Sequence, residues 1–122
     1  MMEMSVATYG LGEIESVCLD AVTRAEEADA RAVVLLTRGN ETARWVAKYH
    51  GKAPIFLMTD NTKIFNQVEG YYRGCLAVRV EEPMALPQLV EKIRQAGHEL
   101  ESGVVVMVDD WDKKPVMTEA SI

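Results

Sequence analysis

The segment Thr37-Arg38-Gly39-Asn40-Glu41-Thr42 gathers the side chains best suited to holding an oxyanion. Two hydroxyls, a guanidinium, a carboxamide and a glycine follow an apolar run and precede a helical pattern. Free N–H groups at a helix start, with hydroxyl or amide groups beside them, can hold a phosphate. The alternative is a plain strand-to-helix turn capped by Asn40 or Thr42. Glu41 favours the alternative, because its charge repels a phosphate. A second cluster, Asp109, Asp110 and Asp112, suits either a weakly held hard cation or a solvated acidic loop. Trp111 stands within it, placed to pack or to stack on a ligand.

Other chemistry is poorly supported. Gly10-Leu11-Gly12 mimics the start of a dinucleotide fingerprint, but Glu15 takes the third glycine's place and would repel a pyrophosphate. The apolar strands end in Thr37 and Thr59, not in the carboxylates of a phospho-accepting receiver. His50 and His98 have no nucleophile or carboxylate at motif spacing. Cys18 and Cys75 lie far apart in apolar surroundings, which reads as two reduced, buried thiols rather than a zinc site. No catalytic residue, metal or cofactor is therefore assigned.

The elements that would position these groups alternate in period. Ile14, Val17, Cys18, Ala21, Val22 and Ala25 recur at helical spacing within 12–28. A nearly continuous apolar run at 31–37 predicts a strand covered on both faces. A helix over 42–50, a strand over 54–59 and a helix over 63–69 follow, the last after the capping turn Asp60-Asn61-Thr62. Then come a strand over 75–80, a helix over 85–100 with Pro87 in its first turn, a strand over 104–108 and an edge-type strand over 116–122. Strands alternating with helices predict a mainly parallel sheet in a three-layer α/β/α sandwich. In such sheets ligands bind beyond the carboxyl ends of the strands, where strand order reverses. The loops at 37–42 and 109–115 are among the four that lie at that end.

One domain over 1–122, with 1–10 as an N-terminal extension, accounts for the length. Apolar residues at 48% and charged residues at 26% match a soluble globular chain and argue against disorder. A formal charge of -6 argues against a broad nucleic-acid-binding face. The first ten residues have no basic start and no long apolar run, so no signal peptide is expected, and no run approaches the roughly 18 apolar residues of a membrane helix. A cytoplasmic location is expected.

The stretches Ala32-Val33-Val34-Leu35-Leu36-Thr37, Thr42-Ala43-Arg44-Trp45-Val46-Ala47-Lys48-Tyr49 and Lys52-Ala53-Pro54-Ile55 resemble the C-terminal domain of the pyruvate kinase family. That family shows a strand ending in Thr, a short loop, a helix reading T-A-R-x-V-[AS]-K-Y and a K-A-P-I strand. Weaker likeness runs through Met58-Thr59-Asp60-Asn61, Tyr71-Tyr72-Arg73-Gly74 and Gly103-Val104-Val105-Val106. The resemblance implies a mixed five-stranded sheet with an antiparallel last strand. It implies a regulatory and oligomerisation domain of a glycolytic enzyme, partnered by further copies or by a catalytic barrel domain. It also implies an effector site for a sugar phosphate or similar metabolite at Thr37, Arg38, Gly39, Asn40 and Thr42, with Trp111 on the closing loop. The chain departs from the family's T-x-S-G-R-[ST] loop: Gly39 replaces a serine and Glu41 an arginine. The glycine-rich closing loop is replaced by Asp109-Asp110-Trp111-Asp112-Lys113-Lys114. The family's phosphoryl-transfer machinery belongs to the barrel, so the resemblance implies no activity for this chain alone. The alternative is a free-standing domain outside glycolysis that binds a phosphate ester or a partner.

Overall fold

The computed structural model describes residues 4–8, 14–39, 41–49, 51–71, 75–112 and 114–122. The elements in chain order are β1 (Met4–Thr8), α1 (Ile14–Glu27), β2 (Ala32–Leu36), α2 (Glu41–Tyr49), β3 (Ile55–Thr59), α3 (Thr62–Tyr71), β4 (Cys75–Arg79), α4 (Leu86–Gln95), β5 (Val104–Asp109) and β6 (Val116–Ser121). They form one six-stranded sheet in the order β1-β6-β5-β2-β3-β4. β5, β2, β3 and β4 run parallel, and β6 pairs antiparallel with β5. The expected α/β architecture and antiparallel last strand are thus observed.

Expectations at the N-terminus, at the sheet edge and at the end of α4 are corrected. Part of the N-terminal extension is a strand: β1 pairs antiparallel with β6, from Met4 opposite Ala120 to Thr8 opposite Val116. The sheet therefore has six strands rather than five, and β6 is an interior strand rather than an edge. Its inner positions Thr118 and Ala120 are buried accordingly. The helix expected over 85–100 ends at Gln95. Gly97 takes φ +93°, its N–H donates to the Arg94 carbonyl, and the His98 N–H returns to the Ile93 carbonyl. A left-handed glycine closing the last turn in this way stops a helix. Leu100 then folds back into the core.

The continuous burial of β2 and β3 has a direct cause: helices cover both faces of the sheet. On one face Val33, Leu35, Ile55, Leu57, Val106 and Val108 meet Val17, Cys18, Ala21, Val22 and Ala25 of α1, Ala43 and Val46 of α2 and Ile64 of α3. On the other, Val34, Leu36, Phe56, Met58 and Met107 meet Leu86, Leu89, Val90 and Ile93 of α4. Each such Leu, Ile or Phe contributes about 1.5–3 kcal/mol relative to exposure. Arg24 of α1 forms a two-pronged ion pair with Glu119 of β6, its Nη2 donating to Oε1 at 2.8 Å. Among the described residues, no helix is long and apolar enough to cross a membrane.

For function, the strand order matters most. From β2 the chain steps outward to β3 and β4, then returns through α4 to place β5 on the other side of β2. The order reverses between β2 and β5, so the loops after these two strands flank the crevice where open parallel sheets take ligands.

Candidate functional site at the strand switch point

The register of β2 and β5 sets Leu36 beside Asp109. One residue further, the Asp110 N–H donates to the Leu36 carbonyl at 3.1 Å. The ladder therefore continues past both strands and brings the two loops together.

Thr37 is buried, and its hydroxyl shapes its own turn as well as supporting Asp110 across the switch point. Its hydroxyl accepts the Gly39 N–H at 3.1 Å and lies at the same distance from the Gly39 carbonyl, to which it can donate. β3 repeats the device: the Thr59 hydroxyl accepts the Asn61 N–H at 3.1 Å. A threonine ending a buried strand thus satisfies the N–H two residues on and turns the chain toward its helix. Asn61 caps α3, its Oδ1 accepting the N–H groups of Lys63 and Ile64 at 3.0 and 3.2 Å, as the Asp60-Asn61-Thr62 pattern predicts. Its Nδ2 also donates to the Arg38 carbonyl at 3.1 Å, which ties the β3 loop to the β2 loop.

Arg38 is exposed, yet its charge is engaged. Its Nη2 lies 3.3 Å from Asp60 Oδ2, and its guanidinium carbon lies 5.2 Å from the centre of the Trp111 ring. Cation–π contact of this kind holds the loops after β2 and β5 face to face. Trp111 is largely buried against the α4 side of the core, and its backbone N–H donates to Asp109 Oδ1 at 3.1 Å. Gly39 has open space where a Cβ would stand, so its backbone does not demand glycine. Asn40 and His50 lie outside the described residues.

Thr42, in the first turn of α2, is only 1% exposed. Its hydroxyl donates to Asp110 Oδ2, and its carbonyl accepts the Cys18 thiol at 3.7 Å. Asp110 Oδ1 is buried with no hydrogen-bond partner. Burial pushes the Asp110 carboxyl above the ordinary range; nearby Asp109 adds to this, while the Thr37 and Thr42 hydroxyls pull it back. Asp109 is raised as well, chiefly by burial, with the Trp111 N–H opposing. Burial also pushes the Cys18 thiol up to about 12, with Asp110 and Glu41 adding to it, and the Cys75 thiol up to about 11. Both cysteines are held as neutral thiols.

The structure therefore brings Thr37, Arg38, Gly39, Thr42 and Trp111 together where the loops after β2 and β5 meet. Sequence reasoning did not find Asp110 as the acceptor for Thr42, nor Asp60 and Asn61 as anchors of the β2 loop. The acidic run was visible, but its role needs the adjacency of β2 and β5. Elsewhere, His98 packs against Phe56 with ring centres 5.5 Å apart. Trp45 stacks on Tyr49 at 6.1 Å with Lys48 over both rings, which is packing on α2. Among the described residues, no three His, Cys, Asp or Glu side chains are grouped to hold a metal ion.

A family model described as the alpha/beta domain of pyruvate kinase matches residues 15–119. A pyruvate kinase from Agaricus bisporus is 41% identical over 69 residues, a match covering 57% of this chain and 13% of that protein. The segment common to both is thus a small part of the relative. With the parallel block, the antiparallel last strand and the family match over nearly the whole chain, this chain belongs to the pyruvate kinase alpha/beta domain family.

Proposed function

We propose that the chain is a non-catalytic regulatory and oligomerisation domain of pyruvate kinase type, acting in the cytoplasm on glycolysis with a catalytic barrel domain and further copies of itself. The switch point where Thr37, Arg38, Gly39 and Thr42 lie, with Trp111 opposite, is its effector site for a phosphorylated metabolite such as a sugar phosphate, and Asn40, outside the described residues, is assigned to it from the sequence. The observation that carries this reading is the Arg38–Trp111 contact across the strand reversal. It joins a loop with a guanidinium, two hydroxyls and a helix start to a loop able to close over a ligand. Such a crevice senses an effector by changing how the two loops are held, and the sheet carries the change to the subunit surface.

Thermal-shift measurement against sugar phosphates and nucleotides tests the site. A ligand at 100 times its dissociation constant adds about 2.7 kcal/mol of stability. No shift with any anion would end the effector assignment. Light scattering tests the assembly part: a strict monomer at high concentration that also ignores a catalytic barrel removes it. Anion binding by such a monomer would instead favour a free-standing phosphate-ester-binding domain. The chain alone is expected to leave phosphoenolpyruvate and ADP unchanged in a coupled assay, and turnover would overturn the non-catalytic reading.

A further inference from the structure

We infer that Asp110 is an internal competitor for the effector crevice: its carboxylate takes the Thr42 hydroxyl at the start of α2, so an external oxyanion enters by displacing it. This rests on the effector reading of the crevice and adds its regulation.

The geometry has three parts. The Asp110 backbone is pinned, its N–H bonded to the Leu36 carbonyl at 3.1 Å. Its side chain is thereby directed from the end of β5 to the first turn of α2, where Thr42 donates to Oδ2. A helix N-terminus favours an anion, and here the protein supplies one of its own. Among the described residues, the occupant is supported by the Thr37 and Thr42 hydroxyls alone of the side chains, and one of its oxygens is unsatisfied. Oδ1 is buried without a partner, and a buried acceptor without a donor is destabilising. The cation of the crevice does not relieve it, since Arg38 is paired with Asp60 and lies over Trp111. The neighbouring charge of Asp109 is negative and repels it, and the Cys18 thiol that shares this corner with Asp110 and Glu41 is neutral and supplies no charge to offset it. A bound carboxylate that is under-supplied with donors can be displaced by a better anion or released by protonation. In a loop that carries Glu41 in place of a basic residue, the hydroxyl that a phosphate would use is thus satisfied from within.

The test uses sulfate, whose charge is constant through the working range, so any pH effect belongs to the protein. Binding to the full chain is followed through the amide resonances of Gly39 and Thr42 and by calorimetry. The expected result is that Asp110→Ser binds sulfate at least tenfold more tightly than the unmodified chain at pH 7.5. The affinity of the unmodified chain is expected to rise as pH falls toward 5, with a smaller rise in the variant. Equal affinity and equal pH dependence would overturn the role of Asp110 while leaving the effector site standing. No binding by either protein would overturn both. If Asp110→Ser does not fold, Asp110→Asn, which removes the charge but keeps an acceptor for Thr42, takes its place: a smaller gain in affinity and loss of the pH dependence are expected, and the absence of both changes would overturn the role of Asp110. The pH series on the unmodified chain reads the competition independently of any variant, and a flat series there counts against it.

Discussion

Replacing Thr42 by valine isolates the contact on which the crevice depends. The two side chains have nearly the same shape, and Thr42 is 1% exposed, so the exchange creates no cavity and changes little but the hydroxyl. What is lost is the donor to Asp110 Oδ2. Oδ1 already has no partner, so the carboxylate is left with the Thr37 hydroxyl as its remaining side-chain support. Hydrogen bonds to charged groups contribute about 1.5–3 kcal/mol. Asp110 is buried at Oδ1 but partly exposed as a residue, so water recovers part of the loss, and the lower end, about 1.5–2 kcal/mol, applies at neutral pH. For a 122-residue chain that lowers Tm by roughly 6–8 °C. The sign of the pH dependence follows from the raised Asp110 carboxyl. A group whose folded-state pKa is raised favours folding when protonated and loses that contribution as pH rises through the folded value. Removing the Thr42 donor raises it further, so the penalty is full at pH 7.5 and shrinks as pH falls and Asp110 becomes neutral. Urea denaturation of both proteins at pH 7.5 and pH 4 measures it. Repeating the pair in an Asp110→Asn background closes a double-mutant cycle, in which the Thr42 effect should fall by more than half. A loss below about 0.5 kcal/mol at pH 7.5, or one of equal size at both pH values, would refute the reasoning, since it would mean the hydroxyl does not support a buried charge.

Two further outcomes are expected. At α4, Ala85 occupies the N-cap position with no side-chain cap, while its N–H already donates to Gln88 Oε1 at 3.2 Å; Ala85→Ser should complete the reciprocal pair and add about 0.5–1 kcal/mol in urea denaturation, and a destabilised variant would contradict this geometry. Cys18 and Cys75, with thiols raised to about 12 and about 11, should resist a disulfide-exchange reagent at pH 8 in the native protein and react fully in urea; rapid labelling of the native chain would contradict their burial.

The catalogue of elements was legible in the sequence because it is written in local periodicities. Apolar runs ending in Thr37 and Thr59 marked buried strands, and Ile14, Val17, Cys18, Ala21, Val22 and Ala25 marked the inner face of α1. The loop at 37–42 was identifiable for the same reason, since it sits where a strand period gives way to a helical one. Helix termination was less legible: the apolar spacing of α4 continues to Leu100, but the left-handed Gly97 ends the helix first. The strand in the first ten residues was hidden because its pairing partner, β6, lies more than a hundred residues away. Composition and local pattern thus determined the fold class, the strand ends and the residues of one wall of the crevice. Tertiary structure alone decided that β5 lies beside β2, that Trp111 faces Arg38, and that the carboxylate of Asp110 takes the hydroxyl of Thr42. The physical reason is that strand order is settled by how helices cover both faces of the whole sheet, and no local window of sequence contains that information.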